Sequence, residues 1–295
     1  MSKFYLAASA AFVFLLAAAV SGCSPLALVN AVSPSGVERS VASVAYGANP
    51  RLTLDVYRPE KGAVNAPVIV FFYGGNWVSG ERKDYAFVGQ ALAARGFVVV
   101  IPDYRLYPQV RYPDFLDDSA RAVAWVERKI AAYGGDPKRI YAMGHSAGAY
   151  NAAMLALDVR WLRRQGSDPS HLRGWIGMAG PYNFLPVSNP TTRPVFHYPD
   201  TPADSQPINQ VKSGAPPALL IAANNDDTVN PQRNTGALAD RLRAIRVPVR
   251  EIYYDRVNHA SLVATLSSTL RRLAPSLDAI EEFVRSDGGR TPPAR

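Results

Sequence analysis

Five residues constrain this chain more than any others: Gly144-His145-Ser146-Ala147-Gly148. Gly-x-Ser-x-Gly holds a serine oxygen proud of a sheet on a sharp strand-to-helix turn, which leaves no room for side chains two residues either side of it. The string alone is common, so its surroundings must give it weight. Upstream, Arg139-Ile140-Tyr141-Ala142-Met143 reads as a short buried strand. Downstream, the Ala-rich stretch 147–157 has strong helix propensity. Strand, turn and helix come in the order that the motif demands, and Ser146 is the candidate nucleophile.

The same alternation continues along most of the chain. Strand signals at 43–46 and 52–57 predict an antiparallel pair. Residues 67–73 and 97–102 are continuous apolar runs, as expected of strands buried on both faces. Further strands are expected at 175–178, 217–223 and 249–254. Helices are predicted over 85–95, stopped by Gly96, over 114–133, stopped by Gly134-Gly135, and over 234–245, 262–273 and 277–284. Strands alternating with helices predict an α/β fold, a mostly parallel sheet covered on both faces. With 295 residues and 48% hydrophobic content, one such domain, expected over 41–286, can bury a full core. Segment 181–216, rich in Pro, Asn, Thr and Ser, breaks the rhythm and is too long for an ordinary connection. It is expected to be a cap-like insertion over the site, with a tolerated surface insertion as the alternative. Residues 287–295 read as a flexible tail.

The N-terminus carries a different kind of signal. Lys3 is a short positive region, Phe4 to Val20 is apolar, and Val20-Ser21-Gly22-Cys23 places small residues before the only cysteine. This is the pattern of a secretory signal, here over 1–22, and it resembles a bacterial lipoprotein lipobox. The resemblance implies cleavage before Cys23, lipidation of that residue, and a tether over 23–40 to a membrane outside the cytoplasm. An ordinary secretory cleavage site and an uncleaved anchor are the alternatives, although the apolar run is short for a spanning helix. A net charge of +8 raises the question of nucleic acid. The basic residues, however, are scattered without a dense run or a recognisable nucleic-acid module, so no such partner is expected.

A serine hydroxyl needs a base, and the base needs an orienting acid. Only four histidines are available. His145 abuts the nucleophile and is expected to point away from it, while His171 and His197 sit in irregular polar segments. His259 follows the last strand and opens a helix, which makes it the candidate base. Where the chain order is Ser, acid, His, the acid falls between them. The turn Asn224-Asn225-Asp226-Asp227-Thr228-Val229-Asn230-Pro231 offers two carboxylates. Asp227 is preferred because it heads Asp-x-Val-x-Pro; Asp226 is the rival and Asp255 a third choice. Donors for an oxyanion are expected after the strand ending near Tyr73, from the Gly75 and Asn76 amides of Tyr73-Gly74-Gly75-Asn76-Trp77, with the Ala147 amide from the elbow. Trp77, Tyr182 and Phe184 are candidates to line a substrate pocket, with a core role as the alternative.

Together these motifs resemble the α/β-hydrolase superfamily, in particular its carboxylesterase and hormone-sensitive-lipase-like branches. Those families carry His-Gly-Gly-x-Trp or His-Gly-Gly-Gly after the third strand, and an Asp-Tyr-Arg-Leu-x-Pro stretch that stands here at 103–108. The similarity continues through Pro113, Asp117, Gly135-Asp136-Pro137 and the Ser146 elbow, and covers about 40–285. One departure is plain: Tyr73 stands where the family usually has histidine. The resemblance implies a serine esterase acting on a small-molecule carboxylic ester with a small or aromatic acyl group, with no metal or organic cofactor. The same residues could serve an amidase or peptidase, and a non-catalytic envelope lipoprotein on this scaffold is a rival from another class. Peptidases of the superfamily usually carry a propeller or cap domain, for which this chain is expected to lack room.

Overall fold

The computed structural model describes Asn30 and residues 39–290. The expected signal segment, Cys23, the tether up to residue 38 and the tail beyond 290 lie outside the described residues, apart from Asn30. Eight strands form one sheet: β1 (Arg39–Ala45), β2 (Thr53–Tyr57), β3 (Ala66–Phe72), β4 (Val98–Pro102), β5 (Gly135–His145), β6 (Leu172–Met178), β7 (Ala218–Ala223) and β8 (Val249–Tyr254). Their spatial order is β1-β2-β4-β3-β5-β6-β7-β8. β1 and β2 pair antiparallel, as the sequence predicts, and β2 meets β4 antiparallel; every later pairing is parallel.

The composition of each strand explains its place. Val98, Val99, Val100 and Ile101 of β4 and Leu219, Leu220 and Ile221 of β7 are fully buried, because helices cover both faces of the parallel region. α1 (Ala86–Ala93) and α2 (Asp114–Lys129) precede the elbow helix α3 (Ala147–Leu157), and α4 (Val159–Arg164) follows it. Every residue of α3 is buried, so its Ala-rich sequence is what close packing of this helix against the sheet requires. In α2, Asp114 and Asp117 occupy the first turn and Arg128 and Lys129 the last, each sign matched to its end of the helix dipole. α5 (Ala237–Ala244), α6 (His259–Ala264) and α7 (Ser276–Arg285) follow among the described residues.

The helix predicted over 262–273 is different. α6 begins three residues earlier, capped by Asn258, whose side chain accepts from the Ser261 amide, and it ends at Ala264. Beyond it, the hydroxyls of Thr265 and Ser267 donate to the Leu262 and Ala264 carbonyls, and the Leu270 amide turns to Ser267 Oγ. Such local bonds compete with helix continuation.

The topology positions the site. From β3 the chain passes outward to β4 and then returns to the opposite side of β3 as β5. The loops leaving the C-terminal ends of β3 and β5 therefore diverge, and open α/β sheets place their ligands in such a crevice.

Candidate active site

The elbow has the geometry that its sequence demands. Ser146 sits at φ 54° and ψ −121°, a sparsely populated positive-φ conformation that costs about 1–3 kcal/mol and persists only where the surroundings enforce it. Its amide donates to the Met178 carbonyl at 2.9 Å, which fixes the turn to β6. A Cβ on Gly144 would lie 2.2 Å from the Gly148 backbone, and one on Gly148 would lie 1.9 Å from the Phe72 carbonyl oxygen. Only glycine fits at either position.

β7 and β8 deliver the other two groups. His259 Nε2 lies 2.9 Å from Ser146 Oγ, and His259 Nδ1 lies 2.8 Å from Asp226 Oδ2. The structure thus corrects the choice of acid from Asp227 to Asp226. Asp226 Oδ1 accepts the Thr228 and Val229 amides at 2.9 and 2.8 Å. That turn tucks the carboxylate inward and leaves Oδ2 for the imidazole. Asp227 points to solvent and, among the described residues, meets only the Thr228 hydroxyl, at 3.3 Å. Asp255, the third choice, accepts from Asn224 Nδ2 at 2.6 Å. Burial pushes the Asp226 carboxyl up, but the bonds from His259, Val229 and Thr228 outweigh it and hold the group below its ordinary value. A carboxylate at Nδ1 places the proton there, so Nε2 presents its lone pair to the serine hydroxyl.

His145 is the residue that sequence reasoning missed. Instead of leaving the site, its ring lies 5.1 Å from that of His259, and its Nε2 is 2.9 Å from the His259 carbonyl oxygen. A carbonyl can only accept, so this nitrogen carries the proton. Nδ1 is buried and has no partner among the described residues. Burial, followed by the neighbouring His259, lowers the His145 pKa to about 3, so the ring stays neutral. Adjacency to Ser146 was the only sequence signal.

The Tyr73–Trp77 loop leaves β3 beside the elbow. Gly75 has φ +123°, and a Cβ there would lie 2.2 Å from the Ser79 carbonyl oxygen. Among the described residues, neither the Gly75 nor the Asn76 amide donates to any acceptor. Ala147 is the first residue of α3, where an amide has no intrahelical acceptor. The three predicted donors therefore border Ser146 with their N–H groups uncommitted. Tyr73 braces this loop from below. Its hydroxyl donates to Asp103 Oδ1 at 3.0 Å and accepts from Arg51 Nη2 at 3.0 Å, and the same Arg51 nitrogen donates to the Gly80 carbonyl at 2.6 Å. The family's histidine position is thus filled by a buried phenol tied into an ion-pair cluster of Asp103, Arg82 and Asp55.

Two cavities open at Ser146. One, of about 80 Å³, is bordered by Asn76, Trp77, Ala147, Phe184, Val187 and Thr192. The other, of about 570 Å³, is bordered by Tyr85, His145, His259, Val263 and Leu270. Phe184 and Val187 bring segment 181–216 to the wall of the smaller one. Trp77 borders it too, although its ring is almost wholly buried against Tyr150 and Phe196 and its Nε1 donates to Asn151 at 3.0 Å. Tyr182 is a second correction. It is fully buried edge-on to Trp175, beneath Gly177 and Gly180, and borders neither cavity. Its sequence neighbours could not show that the chain turns inward at this point. Among the described residues, no group of three or more His, Cys, Asp or Glu side chains is arranged to hold a metal ion.

Known proteins share this framework. The isoprenylcysteine alpha-carbonyl methylesterase ICME of Arabidopsis thaliana is 29% identical over 241 residues, 75% of this chain and 56% of that protein. Esterase LipC of Mycobacterium tuberculosis is 32% identical over 223 residues, 68% of this chain and 55% of that protein. The chain spans about half the length of these curated relatives. Among solved structures, the hyperthermophilic esterase of the archaeon Pyrobaculum calidifontis superposes with a TM-score of 0.71 at 26% identity, covering 88% of this chain and 86% of that one. With the sheet order above, that likeness makes the fold an α/β-hydrolase fold. The BD-FAE family model matches residues 54–242, from β2 through the elbow to α5. On that match, which takes in well over half of the sequence, the chain belongs to the BD-FAE family.

Proposed function

We propose that this chain is a serine carboxylic-ester hydrolase. The observation that carries the reading is the continuous hydrogen-bonded line Asp226–His259–Ser146 beside three uncommitted amides. Relatives named as esterases support it. Ser146 Oγ attacks the ester carbonyl carbon as His259 Nε2 takes its proton, and Asp226 stabilises the imidazolium that forms. The amides of Gly75, Asn76 and Ala147 receive the charge that develops on the carbonyl oxygen. His259 returns the proton to the departing alkoxide. Water, deprotonated by the same nitrogen, then attacks the acyl-enzyme and releases the acid. Short acyl groups suit the smaller cavity. The lipobox-like sequence at Cys23 supports action outside the cytoplasm from a lipid anchor.

The test uses the soluble form beginning after Cys23 and its Ser146→Ala variant on p-nitrophenyl esters from acetate to decanoate. Turnover of the short esters that disappears in the variant is the expected result. An intact protein with no Ser146-dependent turnover and no labelling by an active-site organophosphonate would falsify the esterase reading and favour a binding role. For the anchor, incorporation of labelled palmitate by the full chain should vanish in Cys23→Ser.

A further inference from the structure

The two cavities at Ser146 differ about sevenfold in volume, and the chemistry of the site assigns each to one half of an ester. In the tetrahedral intermediate, the carbonyl carbon holds four groups: Ser146 Oγ, the oxyanion, the alcohol oxygen and the acyl chain. The oxyanion faces the amides of Gly75, Asn76 and Ala147. The alcohol oxygen must face His259 Nε2, because the bond to it breaks only as that nitrogen delivers its proton. The acyl chain takes the remaining direction, away from His259. The cavity of about 570 Å³ contains His259 in its wall, while the cavity of about 80 Å³ does not and is bordered instead by Ala147, Trp77 and Phe184. We infer that the larger cavity receives the alcohol and the smaller one the acyl group, so that the site is built for esters of a small acid with a bulky, apolar alcohol. This inference rests on the esterase reading above and goes beyond it by fixing the orientation of the substrate.

The dimensions and the walls agree. A cavity of about 150 Å³ holds a benzene molecule, so one of about 80 Å³ takes an acyl group of only a few carbons. It resists widening because Trp77, Phe184, Phe196 and Tyr150 interlock, with ring centroids between 4.8 and 6.5 Å apart. The larger cavity exceeds the benzene-sized one several times over. Tyr85, Ala260, Val263, Ala264 and Leu270 give it mainly apolar walls, and among the described residues that border it the two histidines at its floor are the only titratable side chains besides Tyr85. A hydrocarbon or aryl alcohol gains from such a lining, whereas a sugar alcohol would lose its hydration there without replacement.

Constitutional isomers test the assignment without changing the hydrophobicity of the substrate. Hexyl acetate and methyl heptanoate have one molecular formula and reverse the two halves of the ester. kcat/KM for hexyl acetate is expected to exceed that for methyl heptanoate by about tenfold or more, the scale on which pockets discriminate by a few methylenes. Leu270→Trp, which narrows the larger cavity, should lower that ratio, and Val187→Ala, which widens the smaller, should raise the rate on longer acyl chains. Equal or reversed preference, in an enzyme that turns over p-nitrophenyl acetate, overturns the orientation and leaves the esterase reading standing. The orientation is overturned in the same way if both folded variants keep the parent's profile. Turnover of none of the three esters overturns the esterase reading, and the orientation falls with it.

Discussion

Two buried polar assemblies meet at the Tyr73–Gly75 turn, and they are completed to different degrees. In the first, Arg82 Nε lies 3.0 Å from Asp55, its other nitrogens reach Asp103 and Ser43, and its amide donates to Asp103 at 2.7 Å, while Tyr73 supplies a further donor to Asp103. The charges there are paired, and the cluster is nearly closed to solvent. In the second, Asp226, His259, Ser146 and His145 hold a single carboxylate, a strained serine and a ring nitrogen with no partner among the described residues. Saturation gives the first assembly rigidity. Incompleteness gives the second its capacity to accept a proton, and sites of function are where such local deficits concentrate.

The contrast can be broken most sharply at the acid. Asp226→Asn should reduce kcat by about 10⁴-fold, the scale seen when a triad acid loses its charge, with little change in the melting curve. Asp227→Asn should stay within about twofold, as expected of an exposed carboxylate. Steady-state kinetics on p-nitrophenyl acetate decide it, and the reverse order of effects would sink the assignment of Asp226.

The opposite signature belongs to the saturated assembly. Arg82→Leu strands two buried carboxylates and should cost about 3–5 kcal/mol in urea unfolding, while the fraction that remains folded still labels at Ser146. If unfolding moves by less than about 1 kcal/mol, the cluster is not what braces the loop.

His145 offers a sharper probe of the incomplete assembly. Its pKa lies near 3 in the folded chain, against about 6.5 when unfolded. The unfolded chain therefore binds a proton that the native one refuses. Stability is full above about pH 6.5 and falls as pH drops toward about 3, by up to about 1.4 kcal/mol per unit from this group. Asp226 acts in a different window: its contribution is present above the ordinary carboxylate pKa and is lost only below it, as pH falls through the lowered value. Denaturation curves between about pH 4.5 and 6 isolate His145, and His145→Gln should flatten the slope there. An unchanged slope would mean that the ring is not shielded.

The smallest change in stability is expected at Tyr73→Phe. Asp103 keeps Arg82 and loses one hydroxyl donor, a change worth about 1 kcal/mol. A much larger loss would show that the phenol, rather than the arginine, holds the loop.

Much of this architecture is legible in the sequence where a local backbone requirement leaves one solution. Gly144 and Gly148 announce the elbow around Ser146 because no side chain fits at either position, and His259 follows from chain order and the end of β8. The apolar runs at 67–73 and 97–102 appear as β3 and β4 for the same reason: a strand covered on both faces has no polar period to hide. Asp226 and Asp227 are different. They are neighbours of identical type, and the choice is made by which carboxylate captures the amides of Thr228 and Val229, a matter of turn conformation. The Asp-x-Val-x-Pro pattern does not show that the capturing residue stands one place earlier. His145 escapes a sequence reading because its partner comes from distant α6, and Tyr182 because the chain after β6 folds its ring back under Gly177 and Gly180 against Trp175, a matter of turn conformation. The helix expected over 262–273 fails where Ser267 and its neighbours offer the backbone other partners than its own helix.

The sheet ends at β8, a strand whose side chains are only partly covered, and the base is carried from it on a helix of just six residues. The nucleophile belongs to β5, near the middle. Margins of a fold open at lower free-energy cost than its centre. Heat should therefore disarm this molecule before it melts it: the outer strand loosens, imidazole and serine part company, and a fully formed interior survives with nothing left to take its proton.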